Sequence, residues 1–361
     1  MTDLPAWLSG ILSRADHRLI DGRYPSFSSG RCVWDQLSDD QYRELFEAAK
    51  HLPWDQALRQ VMLKHWSKYL ADYNTSPARY AFIDPLLPKA SDLTALDIGC
   101  GLGNISQALA RRYERVVAVD LPDNIIRWLN LLKQNAALDG LEAVGIENLD
   151  LSSLPFKDNS FDLVVLGMTL QWIGSFDLSH SPDKVQKKVL SDIFRVIKPG
   201  GRLVFFDRNR YMYNYFLGEP DGSAVKYASL LPRWLADLKT WFERTFSRSG
   251  RKYYQYVAEA SLKHKRYRNY KHTYTYLMRL FWELGFKNSS AYIAVPNVKF
   301  QKIFISLADE VEAERLFGQG FLKTVLRSVK GHWLGKRLLQ LLILLRLSRF
   351  LADGYIIIAE K

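Results

Sequence analysis

The sequence predicts an α/β chain organised on a parallel, doubly wound sheet, and three observations predict it. The stretch Leu96-Asp97-Ile98-Gly99-Cys100-Gly101-Leu102-Gly103-Asn104 joins an apolar, strand-like run, Leu93 to Ile98, to residues Ile105, Ala108 and Leu109 at helical spacing. Strand-like and helical segments then alternate singly as far as Asp207, as parallel strands with crossover helices do. Acids stand at or near the strand ends, Asp97, Asp120, Asp150 and Asp207. Ligand sites in such sheets lie off those carboxyl ends.

The elements follow in order. Residues 1–75 read as a helical N-terminal segment. Asp39 to Lys50 places Tyr42, Leu45, Phe46 and Ala49 at helical spacing, with Ser38 or Asp39 as N-cap. Trp54 to Ala71 repeats the pattern with Ala57, Val61, Leu63, Trp66 and Leu70. Asn74-Thr75-Ser76-Pro77 reads as a cap, with proline in the first turn of a helix bearing Arg79, Tyr80 and Ile83. The core occupies 76–207, with strands at 94–98, 115–119, 142–147, 161–166 and 202–207 and helices at 104–112, 124–137 and 183–196. Three later elements complete it: a helix from Thr273 to Leu284 closed by Gly285, a strand from Phe286 to Val295, and the run Tyr355-Ile356-Ile357-Ile358-Ala359. Residues 273–300 and 353–361 therefore belong to the core. Residues 208–272 and 301–352 interrupt it as two basic helical insertions.

The 361-residue chain is 48% hydrophobic, enough to bury a large core. Its two cysteines, Cys32 and Cys100, make no disulfide framework, which fits a reducing, cytoplasmic setting. Met1 to Arg14 has no basic head before a long apolar run, and no stretch reaches ~18 uninterrupted apolar residues. Neither a signal peptide nor a membrane span is expected. Cys and His pairs at ligand spacing are absent, so metal chemistry is not expected either. The net charge of +12 is unevenly placed. Arg208 to His272 holds 14 Lys or Arg against five acids, and Gly318 to Phe350 holds seven against none.

The D-x-G-x-G-x-G pattern of Asp97 to Gly103 resembles the first motif of class I S-adenosylmethionine-dependent methyltransferases, in particular the methyltransferase type 11 group. A hydride-transfer fingerprint would want a glycine where Asn104 stands. Val116-Val117-Ala118-Val119-Asp120 resembles the family's second strand with its ribose-binding acid. Leu149-Asp150 with Leu154-Pro155-Phe156 resembles the adenine loop, and Phe161-Asp162-Leu163-Val164-Val165 the fourth strand. Ile197-Lys198-Pro199-Gly200-Gly201 resembles the turn into the fifth. These motifs cover residues 76–207. The resemblance implies a Rossmann-like, seven-stranded sheet and S-adenosyl-L-methionine as cofactor. It implies contacts from Asp97, Gly99, Cys100, Gly101, Gly103, Asp120, Leu121, Asp150 and Leu151. In the family, a segment ahead of the glycine turn often closes over the methionine end. Tyr73 and Arg79 are candidates to meet the carboxylate there, Arg79 through a charge-assisted bond; simple packing or solvation is the other reading.

The acceptor is less legible. Met168, Gln171 and Trp172 follow the fourth strand and should line the acceptor cleft. The resembling family has no invariant base, and His180 and Asp207 are the candidates here. A solvated loop histidine is the alternative for His180. Residues 208–272 interleave 14 aromatics with basic residues and leave the sheet beside the cleft. They read as a cap over the acceptor, or as a helical decoration with its own small core. Leu338 to Leu345, flanked by Lys330, Lys336, Arg337, Arg346 and Arg349, suits an anionic membrane surface, or a helix buried on the sheet.

The expectation is O-methylation of a small, lipid- or glycan-linked acceptor in the cytoplasm, with the inner membrane face as a candidate partner. The preference for oxygen rests on the missing Asn-Pro-Pro-Tyr-like motif after strand four, which amino-directed nucleic-acid enzymes of this fold tend to carry. An RNA methyltransferase ranks below it, with aromatics stacking bases and Lys or Arg meeting phosphates. A non-catalytic membrane-peripheral protein retaining the fold is the further alternative. The intact Asp97, Gly99, Gly101, Gly103 and Asp120 stand against that one.

Overall fold

The computed structural model describes residues 4–27, 37–147, 154–175, 179–223, 225–246, 267–328 and 333–361. Its strands are β1 (Arg18–Ile20), β2 (Tyr24–Ser26), β3 (Thr94–Ile98), β4 (Arg115–Asp120) and β5 (Leu141–Gly145), followed by β6 (Phe161–Gly167), β7 (Ile197–Arg208), β8 (Lys287–Asn297), β9 (Phe300–Ser306) and β10 (Gly354–Glu360). They form one sheet in the order β1-β2-β5-β4-β3-β6-β7-β10-β8-β9. Strands β3 to β7 pair in parallel, and β10 lies antiparallel between β7 and β8. The α/β doubly wound class is as expected from the sequence.

The strands are buried as such a sheet requires. All five residues of β3 are buried, as are all but the last of β10. Alternation splits the core in two: Leu96, Ile98, Val117 and Val119 pack in one cluster, and Ala95, Val116 and Ala118 in the other. Helices cover both clusters, among them Asn104–Ala110, Asp123–Asn135, Pro182–Val196 and Tyr274–Glu283.

The structure departs from expectation in three extra strands and in one divided helix. Among the described residues the sheet has ten strands rather than seven. The first extra pair is a hairpin, β1 with β2, inside the segment expected to be helical, and Ser26 meets Gly145 on the β5 edge. The third is β9, which opens the insertion expected to be wholly helical. It folds back on β8 through Val298 and Lys299, a two-residue turn that supplies the unpaired edge of β8 with hydrogen-bond partners. Asn297 Oδ1 fixes that turn by accepting the Lys299 and Phe300 N–H groups, both at 2.9 Å. Finally, the helix expected from Trp54 to Ala71 is two helices, Trp54–His65 and Lys68–Thr75. Ser67 breaks it by capping the second, its hydroxyl accepting the Leu70 N–H at 3.3 Å. Ser38, by contrast, builds the expected cap, a reciprocal box with Gln41.

The segment after β7 closes on itself around the buried Asp221. Its carboxylate accepts from the Ser223 N–H, the Ser229 hydroxyl and the Tyr267 hydroxyl at 2.8, 2.5 and 2.6 Å. The segment after β9 splits its apolar residues. Phe317, Leu322, Leu326, Leu339 and Ile343 join a main core, while Trp333, Leu334, Leu338, Leu341, Leu344 and Leu345 face outward. Glu314 ties this segment to its own end, accepting the Ser348 and Arg349 N–H groups at 3.2 and 2.9 Å.

Both segments meet at Asn209, which is 1% exposed. Its amide donates to the Phe350 carbonyl at 2.7 Å, the Ala352 carbonyl at 3.1 Å and the Tyr355 hydroxyl at 3.3 Å. Asn209→Ala should destabilise the fold by about 1–3 kcal/mol, the usual cost of leaving buried polar groups unpaired. A urea unfolding curve unchanged in midpoint would contradict this role.

Candidate functional site

The glycine turn after β3 exists because Gly99, Gly101 and Gly103 have φ of +70°, +53° and +82°, a region that side chains disfavour. A Cβ on Gly99 would also lie 2.4 Å from Thr169 Oγ1, so the turn after β6 closes directly over it. Asp120, at the end of β4, takes one N–H on each carboxylate oxygen: Gly101 at 2.7 Å and Leu121 at 2.8 Å. Burial pushes its carboxyl above the usual range, and those two bonds oppose the shift. Each oxygen keeps a second lone-pair site, the arrangement a pair of neighbouring hydroxyls can fill. Asp97, 1% exposed, accepts the Ser106 hydroxyl at 2.6 Å. Burial drives it up to about 6, with Ser106 and then Arg79 pulling it back. The Cys100 thiol is buried too. Burial first, then Asp120 and Asp97, raise it far above an ordinary thiol, so it stays neutral.

The N-terminal helices reach this turn. Asn104 Nδ2 donates to the Asn74 carbonyl at 2.8 Å, fastening the end of the Lys68–Thr75 helix over the turn. The Arg79 guanidinium stacks 3.9 Å from the Tyr73 ring centroid. Arg79 is 7% exposed, and its Nε is buried without a partner among the described residues. A buried guanidinium in that state fits an incoming carboxylate. Asp150 and Leu151 lie outside the described residues.

On the other side, β6 and β7 end in a tight polar cluster. Asp207 accepts the Gln171 N–H at 3.0 Å, Gln171 Nε2 at 2.8 Å and the Arg208 N–H at 2.7 Å. Burial pushes its carboxyl up to about 6 despite those bonds. Met168, ahead of Gln171, holds a left-handed φ of +61°. Trp172 is partly exposed. The return leg of the 208–272 segment packs here: Asn269 Nδ2 donates to the Gln171 carbonyl at 3.2 Å, and Arg268 Nη2 to the Gly174 carbonyl at 2.8 Å. Lys271, 2% exposed, bonds to Asn269 Oδ1. Burial brings Lys271 down to about 8, against the pull of Asp221. His180 is not brought into hydrogen-bond contact with Asp207 or Gln171. It stands in the loop ahead of the Pro182–Val196 helix, its carbonyl accepting from Arg268 at 3.0 Å.

Reasoning from the sequence missed Arg208, Lys299, Tyr69 and Tyr215, which lie close enough to act on one another beside Arg79. The Lys299 ammonium lies 5.4 Å from the ring centroids of both Tyr69 and Tyr73. The Asn297-Val298-Lys299 turn was the available signal, since Asn at that position marks a hairpin.

Comparison with known proteins agrees with this geometry. A family described as a methyltransferase domain matches residues 96–205. The demethylmenaquinone methyltransferase of Lactiplantibacillus plantarum is 30% identical over 200 residues, 55% of this chain and 72% of that protein. The ubiquinone biosynthesis O-methyltransferase of Nitrosomonas europaea is 28% identical over 157 residues, 42% of this chain and 60% of that protein. Haemonchus contortus phosphoethanolamine N-methyltransferase 2, solved with S-adenosyl-L-methionine, is 16% identical with a TM-score of 0.43, over 88% of this chain and 60% of that one. The chain belongs to the S-adenosylmethionine-dependent methyltransferases. It is an enzyme of that class, with S-adenosyl-L-methionine as its methyl donor.

The donor is a zwitterion joined to a ribose, and the residues present fit it. Asp120 would hold the ribose hydroxyls, Arg79 the carboxylate, and Asp97 the ammonium side. Two outcomes follow. Asp120→Ala should weaken S-adenosylhomocysteine binding by about 1–3 kcal/mol in calorimetry. Affinity should also fall as the pH drops through about 6, because Asp97 becomes neutral there and no longer attracts a cation. Equal affinity at pH about 5 and about 7.5 would remove Asp97 from that role.

Proposed function

We propose that this chain methylates an oxygen of a small acceptor carried on a lipid or glycan, at the surface of an anionic membrane. The observation that carries the membrane part is the outward face of the Trp333–Leu344 helix. Trp333 is 69% and Leu344 77% exposed, with Leu334, Leu338, Leu341 and Leu345 beside them. Lys336, Arg337 and Arg346 are interleaved with these apolar residues and no acid is among them. The Arg233–Phe246 helix adds exposed Trp234, Leu238, Trp241, Phe242 and Phe246. Bare apolar faces with basic flanks match an anionic bilayer surface in both chemistry and charge. No helix among the described residues is long and apolar enough to cross a membrane.

In this reading the acceptor lies between the Asp207–Gln171 pair and the 208–272 segment, which caps it. S-adenosyl-L-methionine supplies a methyl group on a positively charged sulfur. The chain's own work is alignment, exclusion of water and control of one proton. A carboxylate has about four lone-pair sites. Three on Asp207 are occupied, and the remaining one can take an acceptor hydroxyl proton. Asp207 is taken as the base in this reading, and His180 is not bonded to it among the described residues.

Flotation tests the surface. The protein should rise with phosphatidylglycerol-rich vesicles, less so as salt is added, and Leu341→Glu with Leu344→Glu should abolish it. Failure of the wild type to float refutes the membrane reading, and equal recovery on neutral vesicles removes its electrostatic part. Labelled methyl transfer into a lipid extract tests the acceptor, and label appearing only in RNA would favour the RNA enzyme instead. With the labelled lipid in hand, the rate should rise as the pH increases through about 6, where Asp207 loses its proton. Replacing 211–270 by a Gly/Ser linker should spare cofactor binding and abolish transfer. Such a splice is short, because the Arg210 N–H already donates to the His272 carbonyl at 3.0 Å.

A further inference from the structure

The cleft holds partly buried positive charge of which the cofactor reading uses only Arg79. Arg79, Lys299 and Arg208 gather about Tyr69 and Tyr73. Arg79 and Lys299 share the Tyr73 ring, at 3.9 and 5.4 Å. Burial first and Arg208 next push Lys299 down to about 7; Arg79 adds to them, while Asp353 and Glu219 oppose. Three cations near enough to act on one another is a costly arrangement unless something negative completes it.

Their donors are nearly all unspent. The Lys299 ammonium makes no hydrogen bond or ion pair among the described residues. Among the described residues Arg208 Nε is buried without a partner, and Arg208 Nη2 reaches only Glu219, at 3.4 Å. The Tyr215 hydroxyl, which acts electrostatically on Arg208, is likewise buried and unpartnered. The nearby acids close the gap only in part: Asp353 and Glu219 favour the charged forms of Arg208 and Lys299, and neither bonds to the Lys299 ammonium among the described residues. Asp353 accepts the Val298 N–H at 3.2 Å, and Glu219 is over a third exposed and spends itself on Arg208. Buried polar groups in folded proteins are almost always paired, so several orphaned donors facing one cleft mark the place of a ligand.

We propose that Arg208 and Lys299, with the phenols of Tyr69, Tyr73 and Tyr215, bind a phosphate group of the acceptor, leaving Arg79 to the donor's carboxylate. This rests on the reading of the cleft as the acceptor site. Arg79 is the natural partner of the donor because it acts directly on Asp97 beside the glycine turn. Lys299 and Arg208 come instead from the β8–β9 turn and the end of β7. Adjacent residues on a strand point to opposite faces. An acceptor lying across the end of β7 therefore meets Asp207 on one side and Arg208 on the other. The guanidinium fork, the ammonium and the phenols offer more donors than two carboxylate oxygens accept, and a phosphate has the oxygens to match. The phosphate belongs either to a soluble ester or to a lipid headgroup.

The test is calorimetry with inorganic phosphate on protein loaded with S-adenosylhomocysteine, at constant ionic strength. Phosphate should bind at least about tenfold more tightly than acetate. Lys299→Met and Arg208→Lys should each weaken it about tenfold or more, the second although it keeps the charge, because the fork is lost. S-adenosylhomocysteine affinity in both variants should stay within about twofold of wild type, which also shows that they fold. Glycerol 3-phosphate and dihexanoyl phosphatidic acid separate the sources: similar affinities assign a soluble ester, and a gain of about tenfold with the acyl chains assigns a lipid. A wild type that binds S-adenosylhomocysteine but not phosphate overturns the proposal. So does acetate binding as tightly as phosphate, or a variant that loses S-adenosylhomocysteine in step with phosphate, since the cations would then serve the donor. Absence of S-adenosylhomocysteine binding in the wild type would instead overturn the cofactor assignment, and phosphate titrated alone would still test the pocket.

Discussion

The placement of everything after β7 depends on one buried amide. Strand β10 must lie antiparallel between β7 and β8, so Arg208 pairs with Gly354 and the chain leaves and re-enters the sheet at one point. Asn209 fastens that point with three hydrogen bonds, and its own N–H donates to the Asp353 carbonyl at 2.9 Å. Gly354 is required there because a Cβ would lie 2.2 Å from the Asp207 carbonyl oxygen. The segment from β7 to the Tyr274–Glu283 helix begins at this crossing, and the segment after β9 ends at it. Long excursions cost little extra closure entropy once their ends are held together. The consequence is functional. Both excursions are held at the carboxyl end of β7, where ligands of such sheets bind.

The parts of the fold that were legible in the sequence are those whose burial leaves no choice. Strands such as Thr94–Ile98 and Gly354–Glu360 are apolar on both faces, and read as strands without tertiary information. The glycines stand where φ is positive, so their pattern carried the turn with it. The edges were harder. The hairpin of β1 with β2 has three residues per strand, too few for a period to show. Residues Phe300–Ser306 alternate poorly because Ile303 faces solvent at the sheet edge. Tyr73 and Arg79 were singled out from their place before the turn, but not their stacking on each other. Lys299 and Arg208 could not be, because they are over 90 positions apart and meet only once β7, β10 and β8 are side by side.

The cleft is electrically divided. Asp97 and Asp120 stand on the β3 and β4 side, each satisfied by a donor from its own neighbourhood, Ser106 or the Gly101 and Leu121 N–H groups. Lys299 and Arg208 stand on the side built by β7 and the β8–β9 turn, where the Arg208 Nε and the Lys299 ammonium have no hydrogen-bond partner among the described residues. The acids are thus oriented before anything binds, whereas the cations await a counter-charge. A zwitterion whose ammonium faced Asp97 and whose carboxylate faced Arg79 would be turned by this field before its contacts were complete.

That division explains why a stable fold retains a locally unfavourable feature. Removing a charge from water is offset only when its hydrogen bonds and counter-charge are made; Lys299 has no bonded partner among the described residues, and Arg79 and Arg208 each keep a buried Nε unpaired. Elsewhere the chain obeys the rule with care: Lys271 has Asp221 and Asn269, Arg195 has Asp192 and Asp158, and Glu314 holds two backbone N–H groups. Sequences that satisfy buried charge this consistently break the rule where binding, not folding, sets the residue. Among the described residues buried guanidinium nitrogens lack partners at Arg233 and, gathered about Lys299, at Arg79 and Arg208. A phosphate seated there would complete the cation cluster and hold an attached hydroxyl over the one lone-pair site of Asp207 that the protein leaves open.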